Sequence, residues 1–263
     1  MTPEERQQAA DALAEAAASR TPIAPLTERW DGMTIADAYE VQLLNVRRQV
    51  AASARVRGHK VGLASKAMQQ QVGVHEPDFG HLLHDMFAYE EEALAADRFI
   101  APRVEVEPAF VLGRSLAGPG VTVADVVRAV DCVLPSLEIV DSRVADWRIR
   151  IEDTVADNAS SGALVLGGRP LRLVDFDPRT VGASLSINGE IRQTGSTAAV
   201  LGNPLTAVAW LANKVATFGV ELAEGDVVLP GSCTRMEPIA PGDVVRADFD
   251  RLGHVAFHVE GAA

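Results

Sequence analysis

Residues 103–112 read RVEVEPAFVL, in which acidic and apolar residues alternate before an apolar run. This period of two predicts a β-strand, because successive side chains of a strand point to opposite faces. Glu105 and Glu107 then share one face, about 7 Å apart along the backbone, whereas Val104 and Val106 fill the other. Two carboxylates on one face repel each other unless a positive group lies between them. The stretch therefore indicates either a solvated strand face or a site for a cation.

A third carboxylate, Glu138, lies in the segment LPSLEIV (residues 134–140), which is predicted to be a buried strand. An unpaired charge is unfavourable in so apolar a segment. A buried salt bridge to Arg103 or Arg143 would explain it, and so would coordination of a metal. Carboxylate oxygens are hard ligands that suit Mg²⁺ or Mn²⁺ better than zinc. Together with the two glutamates of residues 103–112, Glu138 predicts a three-carboxylate site for Mg²⁺ or Mn²⁺.

Lys60 lies in GHKVG (residues 58–62), where glycines flank an apolar strand. Either its side chain reaches the surface along its apolar stem, or its ammonium lies beside the metal and binds a carboxylate or moves protons. His75, His81 and His84 fall in a predicted polar loop and are expected to face solvent. The sequence contains no spacing typical of a zinc site, a phosphate loop or a serine nucleophile.

The composition restricts the class of protein. The chain has 263 residues, of which 48% are hydrophobic and 23% are charged, as in ordinary globular proteins. Its net charge of −12 argues against nucleic-acid binding, which needs clustered Lys and Arg. No apolar run approaches the roughly 20 residues of a membrane helix. Two cysteines and no signal-peptide pattern lead us to expect a cytoplasmic protein with reduced thiols.

The remaining sequence predicts helices followed by strands. Thr34 and Asp37 form a capping-box pattern at the start of the second helix, and Asn188-Gly189 favours a type I′ hairpin turn. We expect one domain over residues 1–263, with a helical part at 1–57 and a β-rich catalytic body at 58–263. The predicted helices are 3–19, 35–54, 122–131 and 204–218, a loop spans 72–80, and the predicted hairpins are 183–187 with 190–194 and 244–249 with 254–259.

Five motifs, in this order along the chain, resemble the 2-keto-4-pentenoate hydratase family of the fumarylacetoacetate hydrolase superfamily. The resemblance runs from about residue 5 to 260. The motifs are GHKVGL (58–63), VG to PDFG (72–80), RVEVE (103–107), LPSLE (134–138) and DTVADNAS (153–160).

The resemblance implies an α+β fold, with a helical N-terminal third followed by a mixed β-sandwich roll of the fumarylacetoacetate hydrolase C-terminal type. It implies that Mg²⁺ or Mn²⁺ is held by the three glutamates reached above, and that Lys60 and Asp78 line the active site. It places Ser160 or Ser161 near the substrate, a small 2-oxo or 2-hydroxy-dienoic acid. It also implies a homo-oligomer, possible association with neighbouring enzymes of meta-cleavage catabolism of aromatic compounds, and no role for His59.

The segment PGSCTR (residues 230–235) resembles the Gly-Ser-x-Thr-Arg run of the hydratases, whereas 4-oxalocrotonate-type decarboxylases more often have Gly-Gly-Val-Thr there. This favours a hydratase, with the decarboxylase as the alternative. Arg235 would bind a distal carboxylate of the substrate if it faces the pocket. A carbon–carbon hydrolase would need a water-activating pair, for which His75-Glu76 is the candidate. A non-catalytic pathway partner would be expected to have lost carboxylates of the metal site, and all three are present.

Overall fold

The computed structural model describes residues 1–90 and 92–261, which form an N-terminal helical layer followed by two mixed β-sheets. The helices are α1 (Pro3–Ser19), α2 (Leu26–Arg29), α3 (Ile35–Ala51), α4 (Lys66–Val72), α5 (Val123–Ala129), α6 (Ile151–Ala156) and α7 (Pro204–Ala216). The strands are β1 (Val56–Gly62), β2 (Asp78–Leu83), β3 (Phe87–Ala88), β4 (Ala93–Ala95), β5 (Arg103–Leu112), β6 (Val130–Val140), β7 (Ser161–Leu166), β8 (Gly182–Ile187), β9 (Glu190–Ser196), β10 (Val227–Leu229), β11 (Glu237–Pro238), β12 (Val244–Phe249) and β13 (Gly253–Glu260).

The larger sheet carries Lys60, Asp78 and the three predicted glutamates. Its strand order is β2-β1-β10-β5-β6-β7-β3, and β11 adds to β5. β1 runs parallel to β10, and β3 runs parallel to β7, whereas the other pairs are antiparallel. β2 also contacts β7, although four strands separate them in the sheet order, so the sheet curls on itself.

The smaller sheet has the order β4-β13-β12-β8-β9, and its strands β12 and β13 pack against β6 of the larger sheet. The β8–β9 hairpin turns at Asn188 and Gly189, whose φ angles of 55° and 81° suit the predicted type I′ turn. The β12–β13 hairpin is also confirmed. One apolar cluster joins the helices to both sheets, through residues such as Leu13, Val41, Val104, Ile139 and Val245.

Local sequence signals set most of the helix starts. Thr34 accepts a hydrogen bond from the backbone N–H of Asp37, and the Asp37 side chain returns one, so the predicted capping box is present. Thr122 caps α5 in the same way. The predicted helices extended two to three residues too far at the C-terminal ends of α3, α5 and α7. Within residues 1–90 and 92–261, no helix has both the length and the apolarity needed to cross a membrane.

The predicted loop over residues 72–80 is wrong at both ends. Helix α4 occupies Lys66–Val72, and β2 begins at Asp78 and is buried throughout. Gly73 and Pro77 are turn signals, but the backbone of residues 78–83 pairs with β1 from Gly62 back to Val56. This long-range pairing outweighs the local turn propensity of the segment.

Candidate active site

The three predicted glutamates come together on adjacent strands. Glu105 on β5 lies directly opposite Glu138 on β6, and Glu107 follows two residues later on the same face of β5. One carboxylate oxygen from each lies within 4.8 Å of those of the other two. Glu107 and Glu138 are buried and Glu105 is partly buried. Val104 and Val106 point into the apolar core behind them, as the alternation predicted.

The donor set fits a hard divalent cation. Oxygen ligands of an octahedral Mg²⁺ lie about 2.1 Å from the ion and therefore about 3–4 Å from one another, which the cluster allows. Glu138 Oε2 is buried and has no hydrogen-bond partner, so it is free to act as a ligand. Burial, and then the charges of Glu138 and Glu105, raise the pKa of Glu107 well above its ordinary value. Burial likewise raises the pKa of Glu138 to about 7. The cluster therefore favours a bound positive charge.

Lys60 does not reach the surface. Its ammonium lies 3.4 Å from Glu138 Oε1 and donates a hydrogen bond of 2.9 Å to the carbonyl oxygen of Ala159. Burial alone would lower the pKa of Lys60, but Glu138 and the other nearby carboxylates raise it above its ordinary value. Lys60 rather than Arg103 or Arg143 is thus the partner of Glu138.

Asp78 approaches the same site from the edge strand β2, where it pairs with Gly62 on β1. Its Oδ1 atom is buried without a hydrogen-bond partner, and burial raises its pKa against the opposing charge of Lys60. A Cβ atom at position 62 would lie 2.0 Å from this oxygen, so Gly62 leaves the room that the carboxyl group occupies.

The two predicted serines, Ser160 and Ser161, have different hydrogen-bond partners. Ser161 Oγ donates to Glu138 Oε1 at 3.3 Å and so contacts the carboxylate cluster. Ser160 Oγ instead donates to Asp157 Oδ2 at 3.3 Å. Of the two alternatives, the geometry therefore brings Ser161 to the cluster.

A cavity of about 680 Å³ opens beside the cluster. Glu105 and Arg235 are both among its lining residues. Neither His75 nor Glu76 is among its lining residues, and Glu76 forms an ion pair of 2.7 Å with Lys214. This arrangement gives no support to a water-activating role for His75 and Glu76.

The segment after β10 has a role that the sequence did not reveal. The backbone N–H of Gly231 donates a hydrogen bond of 2.8 Å to Glu107 Oε2 and so orients that carboxylate. Gly231 has a φ angle of 124°, and a Cβ there would lie 2.3 Å from the Ala64 Cβ. The glycine in PGSCTR indicated a turn or a close backbone approach, but only the fold shows that it approaches Ala64 and binds Glu107.

The expectation that His81 faces solvent is wrong, although His75 and His84 are exposed. His81 lies on β2 opposite His59 on β1, and their buried rings are 4.8 Å apart between centroids. His59 is adjacent to Lys60 and His81 is three residues from Asp78, so the strand alternation points both rings to the other face of the sheet. His81 Nδ1 lies 3.0 Å from the Gln42 side chain of α3, so this pair belongs to the packing behind the site.

Known proteins share both the sequence and the fold of this chain. Residues 56–260 match the family described as fumarylacetoacetate (FAA) hydrolase C-terminal. The chain is 45% identical over 260 residues to 2-keto-4-pentenoate hydratase of Paraburkholderia xenovorans (strain LB400), which covers 99% of this chain and 97% of that protein. The chain belongs to the 2-keto-4-pentenoate hydratase family of the fumarylacetoacetate hydrolase superfamily.

Two other relatives bear on the choice of reaction. The 2-oxo-hept-4-ene-1,7-dioate hydratase of Escherichia coli is 41% identical over 94% of this chain and 95% of that protein. The solved structure of 4-oxalocrotonate decarboxylase from Pseudomonas putida G7, complexed with magnesium and adipate, matches with a TM-score of 0.95. That decarboxylase is 36% identical, with 98% of each chain covered.

Proposed function

We propose that this protein is a divalent-metal-dependent hydratase, which adds water to 2-hydroxypenta-2,4-dienoate or a near analogue to give a 4-hydroxy-2-oxo acid. The observation that carries the proposal is the cluster of three glutamates, with Lys60 beside Glu138 and an open cavity beside Glu105. The hydratase names of relatives over nearly the whole chain support the same reaction. This chemistry belongs to meta-cleavage catabolism of aromatic compounds.

Glu105, Glu107 and Glu138 would hold the cation, Mg²⁺ or Mn²⁺. When bound, the cation would supply Lewis-acid stabilisation of the negative charge that builds on the C2 oxygen of the substrate. Gly231 and Ser161 orient two of these carboxylates through the hydrogen bonds described above.

The reaction has two stages. In ketonisation, the 2-hydroxyl group loses a proton and C5 gains one, which gives an α,β-unsaturated 2-oxo acid. Water then adds across C3 and C4, so that C4 receives the hydroxyl group and C3 receives a proton. Lys60 and Asp78 are the groups that hold or move these protons, because both are buried beside the cluster and are ionisable.

Arg235 and the cavity would accommodate the distal end of the substrate. Arg235 lines the cavity, and its guanidinium would pair with a second carboxylate of a longer substrate. We therefore include longer 2-oxo acids among the near analogues that the site accepts.

A decarboxylase remains the alternative, since the solved decarboxylase superposes over almost the whole chain. Both reactions use activation of the 2-oxo group, but decarboxylation must keep water from C4, whereas hydration must admit it. The decisive assay supplies two substrates to the metal-loaded protein. We expect loss of the ultraviolet dienol absorbance of 2-hydroxypenta-2,4-dienoate with formation of 4-hydroxy-2-oxopentanoate. We expect little carbon dioxide from 2-oxohex-3-enedioate, and the reverse pattern would overturn the hydratase assignment.

We also propose that residues 1–263 act as one domain, a β-sandwich roll behind a helical N-terminal part, and that the protein assembles as a homo-oligomer. The apolar cluster shared by the helices and both sheets supports a single domain. Sedimentation of the purified protein at several concentrations would test the assembly.

A further inference from the structure

The chain takes an unusual conformation between α6 and β7. Asn158, Ala159 and Ser160 have φ angles of 57°, 51° and 53°. This left-handed region is unfavourable for residues that carry a Cβ, by roughly 1–2 kcal/mol each. Three such residues in succession persist only where contacts outside the turn hold them in place.

The side chain of Asn158 supplies such contacts. Its Oδ1 accepts a hydrogen bond of 2.7 Å from the backbone N–H of His81, and its Nδ2 donates one of 2.9 Å to the His81 carbonyl oxygen. β2 is the edge strand of the larger sheet, so the carboxamide occupies backbone groups that a further strand would otherwise pair. A Cβ at Gly80 would lie 2.4 Å from the Asn158 carbonyl oxygen, so this glycine permits the close approach.

The turn that Asn158 holds faces the reactive groups. Its Ala159 carbonyl oxygen accepts the 2.9 Å hydrogen bond from the Lys60 ammonium. Ser161, the first residue after the turn, donates a hydrogen bond to Glu138 Oε1, the same oxygen that lies 3.4 Å from the Lys60 ammonium. The direction of the ammonium is thus set by one carboxylate on β6 and one carbonyl in the turn.

We propose that Asn158 is a positioning residue for Lys60: its carboxamide fastens the left-handed turn to β2, and the turn presents the Ala159 carbonyl that fixes the Lys60 ammonium. The inference rests on the proposed function, because it concerns the proton chemistry of the same site. Within the described residues, the hydrogen bonds of the Asn158 carboxamide go to backbone groups of β2, so its role is to position Lys60.

The primary variant is Asn158→Gly, which tolerates the positive φ but lacks the carboxamide. We expect kcat to fall about 10²-fold with little change in KM, the scale expected when a catalytic group is displaced by about 1 Å. Asn158→Asp keeps the acceptor and loses the donor, and it replaces Asn158→Gly if that variant does not fold. A kcat within about twofold of wild type in either folded variant would overturn the proposal.

The matched control is Asn213→Gly. Asn213 on α7 makes the same kind of contact away from the site, accepting from the backbone N–H of Gly120 and Val121 and donating to the Val121 carbonyl oxygen. Its loss should lower the melting temperature and leave kcat unchanged. An equal kcat loss in the control would assign the effect of Asn158 to stability alone.

A double-mutant cycle separates positioning of Lys60 from a general structural effect. If Asn158 acts through Lys60, Asn158→Gly should lower kcat by less than about threefold in a Lys60→Ala background. A full further loss of about 10²-fold in that background would show independent effects and overturn the proposal.

A labelling measurement does not depend on turnover. Lys60 is one of three lysines in the chain, with Lys66 and Lys214, so reductive methylation can be followed at each by peptide mass spectrometry. We expect Lys60 to be methylated at least tenfold faster in Asn158→Gly than in wild type, and to stay protected in Asn213→Gly. Unchanged protection would overturn the positioning role. Absence of hydration by the wild type would instead count against the proposed function and leave the labelling result valid.

Discussion

The Lys60 ammonium lies 3.4 Å from Glu138 Oε1, and their side chains are only 4% and 0% exposed to solvent. A buried charge without its partner is strongly unfavourable, so each group depends on the other. The neighbouring carboxylates raise the pKa of Lys60 against the effect of burial, which favours the ammonium form. It therefore enters the reaction as a proton donor or an electrostatic partner.

Lys60→Ala should lower kcat by a factor on the order of 10² or more, the usual scale for loss of a positioned proton-transfer group. Steady-state kinetics on 2-hydroxypenta-2,4-dienoate measures the effect. Lys214→Ala is the control, since it removes an ion pair with Glu76 outside the cavity lining and should leave kcat unaltered. A near-normal kcat in Lys60→Ala would move the proton chemistry to Asp78.

Glu105→Gln, Glu107→Gln and Glu138→Gln should each abolish most activity while the fold persists. Each change removes one anionic ligand from a hard-cation site, so the Mn²⁺ affinity should fall more than the roughly 10–100-fold typical of outer-shell changes. Manganese titration followed by electron paramagnetic resonance measures this directly. Glu190→Gln, at an exposed position on β9, should bind Mn²⁺ normally.

Chelation provides the complementary experiment on the unaltered chain. The exhaustively chelated protein should lose its hydratase activity and regain it when Mg²⁺ or Mn²⁺ is added. Full activity after chelation would rule out the metal role of the three glutamates.

Gly62→Ala should displace Asp78 without altering the metal ligands. The new Cβ would lie 2.0 Å from Asp78 Oδ1, which must therefore move. We expect kcat to fall about tenfold or more, because proton transfer is sensitive to such displacement, while the Mn²⁺ affinity changes little. Gly168→Ala is the control, since its Cβ would approach another atom only to 3.7 Å, at the Glu90 side chain. Wild-type kinetics in Gly62→Ala would remove Asp78 from the proton chemistry.

The buried His81 should make the protein less stable in acid. Burial lowers the pKa of His81 from 6.5 to about 4. Between these values the unfolded chain binds a proton that the folded protein does not, so the stability from His81 is lost as the pH falls from about 6.5 to 4. Each unit by which the pH falls in this window lowers the free energy of unfolding by up to about 1.4 kcal/mol.

His81→Gln isolates this contribution. Buried carboxyl groups such as Asp157, whose pKa burial raises to about 6, act in the opposite direction, so the wild-type curve alone does not isolate it. Urea unfolding of chelated protein at pH 5 and pH 7 should show a smaller acid loss in His81→Gln than in wild type. His258→Gln, at an exposed position on β13, should behave like wild type. An identical loss of unfolding free energy between pH 7 and pH 5 in all three proteins would contradict the prediction.

Much of the fold followed from local patterns. The alternation in residues 103–112 predicted β5 with its observed bounds, and the same alternation put Glu105 and Glu107 on one face. The capping box at Thr34 and the Asn188-Gly189 turn were confirmed, because these signals involve residues close in sequence.

The errors arose where distant strands decide the structure. Asp78 and His81 have polar side chains and follow turn signals, yet pairing of their strand with β1 buries them. The sequence predicted a buried charge at Glu138, but not that Lys60 neutralises it from a strand 78 positions earlier. The contacts of Gly231 and Asn158 also join segments far apart in the chain, and no local pattern reports them.

The position of Asp78 at the edge of the larger sheet has a consequence for how the protein loses activity on partial unfolding. Glu105, Glu107 and Glu138 lie on β5 and β6, each of which has neighbours on both sides, whereas β2 pairs with β1 alone. Edge segments open at a lower free energy than the central strands of a sheet. Under mild denaturing stress we expect the carboxyl group of Asp78 to leave before the glutamate cluster comes apart. The inactivated protein would then keep its metal and recover by re-docking one strand, without having to refold.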